Sequence, residues 1–264
     1  MQLNKTIIAM IHVAALPGTP HNRLTVDAIV RQAESEAKLL LEQGVDALMI
    51  ENMHDRPYLN RRVGPEVTAV MTAVATAVRH TVSIPVGIQI LAGANREALA
   101  VALAAVLNFI RSEGFVFGHL ADEGFMDSDA GELLRYRKAI GADHIRIFTD
   151  IKKKHSSHAI TADISIKETA RAAEFFLSDG LIVTGSSTGE EPDARDLESV
   201  KAATALPVLI GSGITAANLE KYWPLADAFI VGSSMKKEGK WFNPPDQIRV
   251  AGLMETVRKL KRSI

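Results

Sequence analysis

Cysteine is absent from the chain. This excludes disulfides, thiolate-ligated metal and a cysteine nucleophile, and it fits a reducing compartment, so a cytoplasmic protein is expected. No charge of one sign predominates either. With 30 basic and 31 acidic residues the net charge is −1, which provides no electrostatic footprint for nucleic acid or an anionic membrane. Long apolar runs are also missing. The stretch from Ala98 to Leu107 is alanine-rich and half of what a spanning helix needs, so no integral membrane segment is expected. The apolar stretch after Lys5 has the outline of a signal peptide, but His12 interrupts it and Leu16-Pro-Gly18 opens a loop; it reads as a first strand. Aromatic residues make up only 5%, so the adjacent Trp241 and Phe242 in a polar loop point to a specific contact, either over the end of the domain or in a homo-oligomer.

What the chain does contain is a degenerate repeat. An Asp or Asn, usually followed by a small residue, precedes an apolar run at Asp46-Ala47, Asn108-Phe109, Asp143-His144, Asp179-Gly180 and Asp227-Ala228, while Ile84-Pro85 and Leu206-Pro207 open two more. Helical periodicity fills the intervals; Thr25, for example, caps a helix with Val26, Ile29, Val30, Ala33, Ala37 and Leu40 on one face, ended by Gly44. Adding the first run gives eight strands, near residues 7, 47, 86, 109, 145, 181, 208 and 229. Alternating strands and helices imply a parallel sheet with right-handed crossovers. Eight units favour closure, so residues 1–264 are expected to form a single α/β domain, a (β/α)8 or TIM barrel. An open doubly wound sheet is the rival, but the turn after the first strand has no Gly-x-Gly-x-x-Gly.

Two consecutive strands end in bare-backbone turns. Leu206–Ile210 runs into Gly211-Ser212-Gly213, and Ala228–Val231 into Gly232-Ser233-Ser234, followed by a short polar segment through Lys237. Small residues let main-chain N–H groups approach an anion closely, and the loops after strands seven and eight of such barrels frequently hold phosphate. A phosphorylated small molecule is therefore the expected partner.

Polar residues end the other strands: His12, Glu51 with Asn52, Gln89, Arg111 with Glu113, Asp150 with Lys152, and Thr184. Residues two apart on a strand share a face, so these can converge in the C-terminal mouth. His12, Glu51, Glu113, Asp150 and Lys152 are the candidate catalytic groups, because carboxylates near a lysine in a partly dry site equip it for proton transfer or Schiff-base chemistry. Asn52, Gln89, Arg111 and Thr184 are candidate substrate contacts. A polar plug with no chemistry is the structural alternative. No cofactor is expected. A divalent metal held by His12, Glu51, Asp150 and His155 is a further possibility, without a ligand spacing to support it. The loops Met53–Arg62, Gly114–Gly131 and Lys152–Ala162 leave the same end and can cover one pocket.

Several of these phrases also resemble a known family. Ile11-His12 with Leu16-Pro-Gly18, Gly44-Val-Asp46 with Ile50-Glu-Asn52, Val63-Gly-Pro-Glu66, Ile84-Pro-Val-Gly-Ile-Gln-Ile-Leu91, Glu132-Leu-Leu-Arg-Tyr-Arg137 and Val231-Gly-Ser-Ser-Met-Lys-Lys-Glu-Gly239 are similar, in order, to the BtpA/SgcQ family. The resemblance implies a ribulose-phosphate-binding-type barrel and carries an association with photosystem I biogenesis. Two functions follow as expectations: an enzyme acting on a small phosphorylated metabolite by proton-transfer, lyase or hydrolytic chemistry, or a non-catalytic biogenesis or stability factor.

Overall fold

The computed structural model describes residues 3–185 and 189–263. Eight parallel strands, β1 (Thr6–His12), β2 (Ala47–Glu51), β3 (Val86–Gln89), β4 (Phe109–Ser112), β5 (Arg146–Asp150), β6 (Gly180–Val183), β7 (Val208–Ile210) and β8 (Ala228–Val231), close into a barrel in chain order. Helices α1 (Val26–Glu42), α2 (Pro65–Thr81), α3 (Asn95–Ala104), α4 (Ala130–Ala139), α5 (Ile166–Phe175), α6 (Ala194–Lys201), α7 (Leu219–Tyr222) and α8 (Gln247–Arg262) follow them one by one. The closed (β/α)8 architecture is as expected. Thr25 caps α1 through its side chain, and Gly44 takes φ +83 just beyond the helix.

The repeated Asp/Asn phrase has a physical role at the N-terminal end of the barrel. Asp46 accepts from Ile7 N–H at 2.8 Å, Asn108 from Val86 at 3.0 Å, Asp179 from Ile147 at 2.8 Å and Asp227 from Val208 at 2.8 Å. Each residue precedes an even-numbered strand and ties down the start of the odd-numbered strand before it. The strands are thus clamped in pairs, which satisfies N–H groups that the ladder leaves unpaired. Asp143, which precedes odd-numbered β5, instead meets Lys138 at the surface.

Period-two alternation divides the strands into two faces. Ile7, Ile11, Leu48, Ile50, Ile88, Ile110 and Ile147 pack against the helices, while Ile8, Met10, Met49, Phe109, Phe148, Ile182, Leu209 and Ile230 fill the interior. Phe109 and Phe148 pack 5.4 Å apart. Their bulk is accommodated by glycine on a neighbouring strand: a Cβ at Gly87 would lie 2.2 Å from the Phe109 ring, and one at Gly180 2.8 Å from Phe148. This apolar layer is the floor beneath the mouth. Above it the same parity brings His12, Glu51, Gln89 and Arg111 inward.

Two of the mouth loops form a structure of their own. His119–Ala121, Gly124–Met126 and Ser156–Ser157 make a small antiparallel sheet that joins the loops after β4 and β5. It walls one side of the mouth.

Candidate active site at the barrel mouth

A cavity of about 470 Å³ opens at the C-terminal ends of the strands. Its lining includes His12, Glu51, Gln89, Arg111 and Glu113, together with Gly211, Ser212, Gly213, Gly232, Ser233 and Ser234. Both glycine-serine turns therefore face the same space as the polar strand ends. Among the described residues, the main-chain N–H groups of Gly213, Gly232, Ser233 and Ser234 donate to no protein acceptor. Bare backbone is required here for close packing. A Cβ at Gly213, where φ is +78, would lie 2.2 Å from the Glu190 carbonyl oxygen, and one at Gly232 would lie 3.3 Å from the His12 ring. The segment after β8 is a short 3-10 turn, Ser233–Met235, anchored by Lys236, whose side chain is 1% exposed and whose ammonium pairs with Glu36 of α1 at 2.9 Å. Arg249 of α8 reaches the cavity beside Ser234.

His12 and Glu51 form the chemical centre of the other wall. His12 Nδ1 lies 2.8 Å from the Trp241 carbonyl, which only accepts, so Nδ1 carries the proton and Nε2 presents a lone pair. That Nε2 is 3.7 Å from Glu51 Oε2. Burial, with Lys236 nearby, lowers the His12 pKa to about 3. Burial also raises that of Glu51, against the opposing pull of Arg111. Both effects disfavour the charged forms: the imidazole is neutral, and the carboxyl facing it holds a proton more readily than an exposed one.

The His12 shift has a consequence for pH dependence. Its folded pKa lies below its unfolded value of 6.5, so the unfolded chain binds the extra proton; the stability contribution is complete above pH 6.5 and falls as pH drops towards 3. In 15N-imidazole NMR, His12 is expected to remain neutral with Nδ1 protonated from pH 8 to 5. A titration step near pH 6.5 would contradict the buried arrangement.

Several sequence expectations need correction. Asp150 and Lys152 do not line the large cavity. Asp150 is spent on Arg111 in a two-pronged pair, Nε to Oδ2 and Nη2 to Oδ1 both at 2.8 Å, and both groups are buried. Lys152 takes φ +49, which breaks the strand's alternation, and its ammonium donates to the Thr161 carbonyl at 3.0 Å. Both residues border a separate crevice of about 20 Å³, room for one water. Lys153 and Lys154 reach the large cavity instead. Lys153 Nζ sits 3.3 Å from Glu113 Oε1, whereas Lys154 Nζ has no ion pair or hydrogen bond among the described residues. Asn52 is a structural residue: its side chain accepts from Leu91 N–H at 2.7 Å and donates to Asp55 at 2.9 Å. Thr184 supports the site indirectly, its hydroxyl accepting from Lys154 N–H at 3.2 Å. For the proposed metal set, His155 is exposed and Asp150 is engaged by Arg111. Among the described residues no group of three or more His, Asp or Glu is placed to hold a metal ion.

Trp241 lines the cavity, where it packs against His54 at 5.0 Å, Arg56 at 4.9 Å and Phe242 at 5.5 Å. Its expected role over the end of the barrel is therefore joined to a role in holding His12. Lys153, Lys154, Arg249, Arg56, Tyr58 and Glu123 are among the lining residues that the strand-end parity did not find. The only sequence signal for the lysines was the basic run itself.

The arrangement defines a class: a closed (β/α)8 barrel with a polar, partly buried pocket at the C-terminal mouth. The chain belongs to the BtpA family, whose model matches residues 3–259. A mitochondrial protein of Caenorhabditis elegans is 47% identical over 97% of this chain and 94% of its own length. The photosystem I biogenesis protein BtpA of Synechocystis is 34% identical over 97% of this chain and 89% of its own. Among solved structures, thiamine phosphate pyrophosphorylase from Pyrococcus furiosus superposes with a TM-score of 0.60 at 13% identity, covering 97% of this chain and 96% of that one. Phosphoribosylanthranilate isomerase from Thermotoga maritima gives 0.57 at 10% identity, covering 97% and 99%. No helix among the described residues is long and apolar enough to cross a membrane.

Proposed function

We propose that this protein is a cytoplasmic enzyme acting on a small phosphorylated metabolite, a sugar phosphate or nucleotide-like compound, by proton-transfer, lyase or hydrolytic chemistry. One observation carries the reading: one cavity joins turns whose main-chain N–H groups meet no acceptor among the described residues to a wall holding His12, Glu51, Glu113 and Lys154. In this reading the phosphate lies between Gly211–Gly213 and Gly232–Ser234, with Arg249 adding positive charge. Glu51 supplies a proton, His12 Nε2 accepts one, and Lys154 serves as base or nucleophile. These roles are assigned to side chains, without a cofactor. The phosphorylated compounds in the names of the two structural relatives agree with this fold carrying such a site. A non-catalytic biogenesis factor, which the Synechocystis relative's name describes, would be better matched by a mouth plugged with side chains. The mouth is open.

Thermal melts in inorganic phosphate and simple phosphate monoesters test the anchor. The parent protein is expected to gain about 2.7 kcal/mol at a ligand concentration 100 times Kd. Gly232→Val should fold yet lose this gain, because the added side chain enters the space beside the His12 ring. Gly213→Val is unsuited to the test, since it would collide with the Glu190 backbone. Equal stabilisation of folded Gly232→Val would refute the anchor.

A further inference from the structure

We propose that the wall facing the phosphate turns is a hydroxyl-reading subsite, and that the substrate's unphosphorylated end is a neutral, polyhydroxylated chain or ring. This rests on the reading of the turns after β7 and β8 as the phosphate anchor. Gln89 is 2% exposed and Glu113 7%, yet Gln89 Oε1 and Glu113 Oε2 are buried with no hydrogen-bond partner. Glu123 Oε2, from the turn between two strands of the small mouth sheet, is in the same condition. All three residues line the large cavity, and all three atoms are acceptors. A buried acceptor without a donor is destabilising, and its retention in a pocket is accounted for when a ligand supplies the donor. β3 and β4 lie four strands away from β7 and β8 in the closed order. Anchor and acceptors thus confront each other across the cavity.

Charge and packing define what the donors belong to. The acidic groups of the lining, Glu51, Glu113, Asp122 and Glu123, with Asp150 held on Arg111, are matched in number by Arg56, Arg111, Lys153, Lys154 and Arg249, and Lys153 pairs directly with Glu113. The pocket therefore has no surplus negative charge to hold an ammonium group, and its donors must come from neutral groups. A nucleobase would need an aromatic face to stack on. Of the two large aromatic residues in the lining, Trp241 is already packed against Arg56 and His54, and Tyr58 against the cluster of Leu91, Ala92 and Met126. Hydroxyl groups are the remaining donors, and a ligand bearing several of them along one edge satisfies Gln89, Glu113 and Glu123 together.

Isothermal titration with inorganic phosphate, propyl phosphate, adenosine monophosphate and a set of pentose and hexose phosphates tests this. At least one sugar phosphate is expected to bind ten times more tightly than propyl phosphate. Gln89→Leu should remove most of that margin, leave propyl phosphate binding unchanged and raise the melting temperature of the free protein, because it deletes an orphaned acceptor; Gln89→Met serves as a second variant. A merely structural Gln89 would show the reverse, a lower melting temperature with the margin intact. The subsite is overturned if propyl phosphate or adenosine monophosphate binds as well as every sugar phosphate, or if both variants keep the margin. Failure of inorganic and propyl phosphate to bind while a sugar phosphate binds would overturn the anchor alone, and silence from the whole panel overturns both.

Discussion

Lys154→Met is expected to lower turnover of the enzyme's substrate by about 10²–10⁴ while leaving the barrel folded, and Lys152→Met to change neither. Lys154 lines the cavity, and its backbone is held by the Thr184 hydroxyl. Burial and then Arg111 lower its pKa, with Glu51, Asp150 and Glu113 opposing. Only the unprotonated amine acts as base or nucleophile, and a lowered pKa makes more of it available at neutral pH. The same shift gives the sign for stability. The ammonium's burial cost is present in full below its folded pKa and vanishes as pH rises towards the unfolded 10.5, so methionine should fold at least as well at neutral pH. Lys152 has its ammonium on the Thr161 carbonyl, away from the site. Steady-state kinetics on a substrate identified from the binding panel, alongside thermal melts, would decide. A parental rate in Lys154→Met removes this lysine from the mechanism.

Asp150→Ala should have the largest effect on stability, a loss of about 3–5 kcal/mol, because it leaves the Arg111 guanidinium buried without its partner. Replacing both at once, Arg111→Met with Asp150→Leu, should restore much of that loss, since a buried pair can be exchanged for packed apolar groups at little cost. Urea unfolding measures both variants. The outcome separates two roles for Asp150: a carboxylate that acts on substrate would affect turnover with little change in stability, whereas one that holds Arg111 in place would affect stability first. A loss below about 1 kcal/mol in Asp150→Ala, the range of exposed pairs, would show that the pair does not behave as a buried one.

The two lysines show why parity served so well up to a point. Period-two alternation is a property of extended backbone, and it correctly turned His12, Glu51, Gln89 and Arg111 inward because those residues lie within or at the end of regular strands. It failed at Lys152, one residue beyond Ile151, where the backbone enters the left-handed region. Lysine carries no signal for that conformation, as glycine does. Asn52 illustrates a different limit. It follows β2 on the helix-facing side, where it bonds Leu91 and Asp55, and an amide suits such a structural bond as well as a substrate.

What the chain determined by itself was local and repetitive: eight apolar runs, the helices between them, the Asp and Asn that precede the strands, and the two glycine-serine exits. Each depends on backbone conformation or short-range periodicity, which a stretch of sequence contains in full. The partners were decided only by closure of the barrel. Bringing β4 beside β5 committed Asp150 to Arg111, the loop after β5 carried Lys154 rather than Lys152 into the cavity, and the segment after β8 placed the Trp241 carbonyl on His12. Those contacts join residues far apart in the chain, and burial, which lowers the His12 pKa and raises that of Glu51, exists only once the whole wall has assembled.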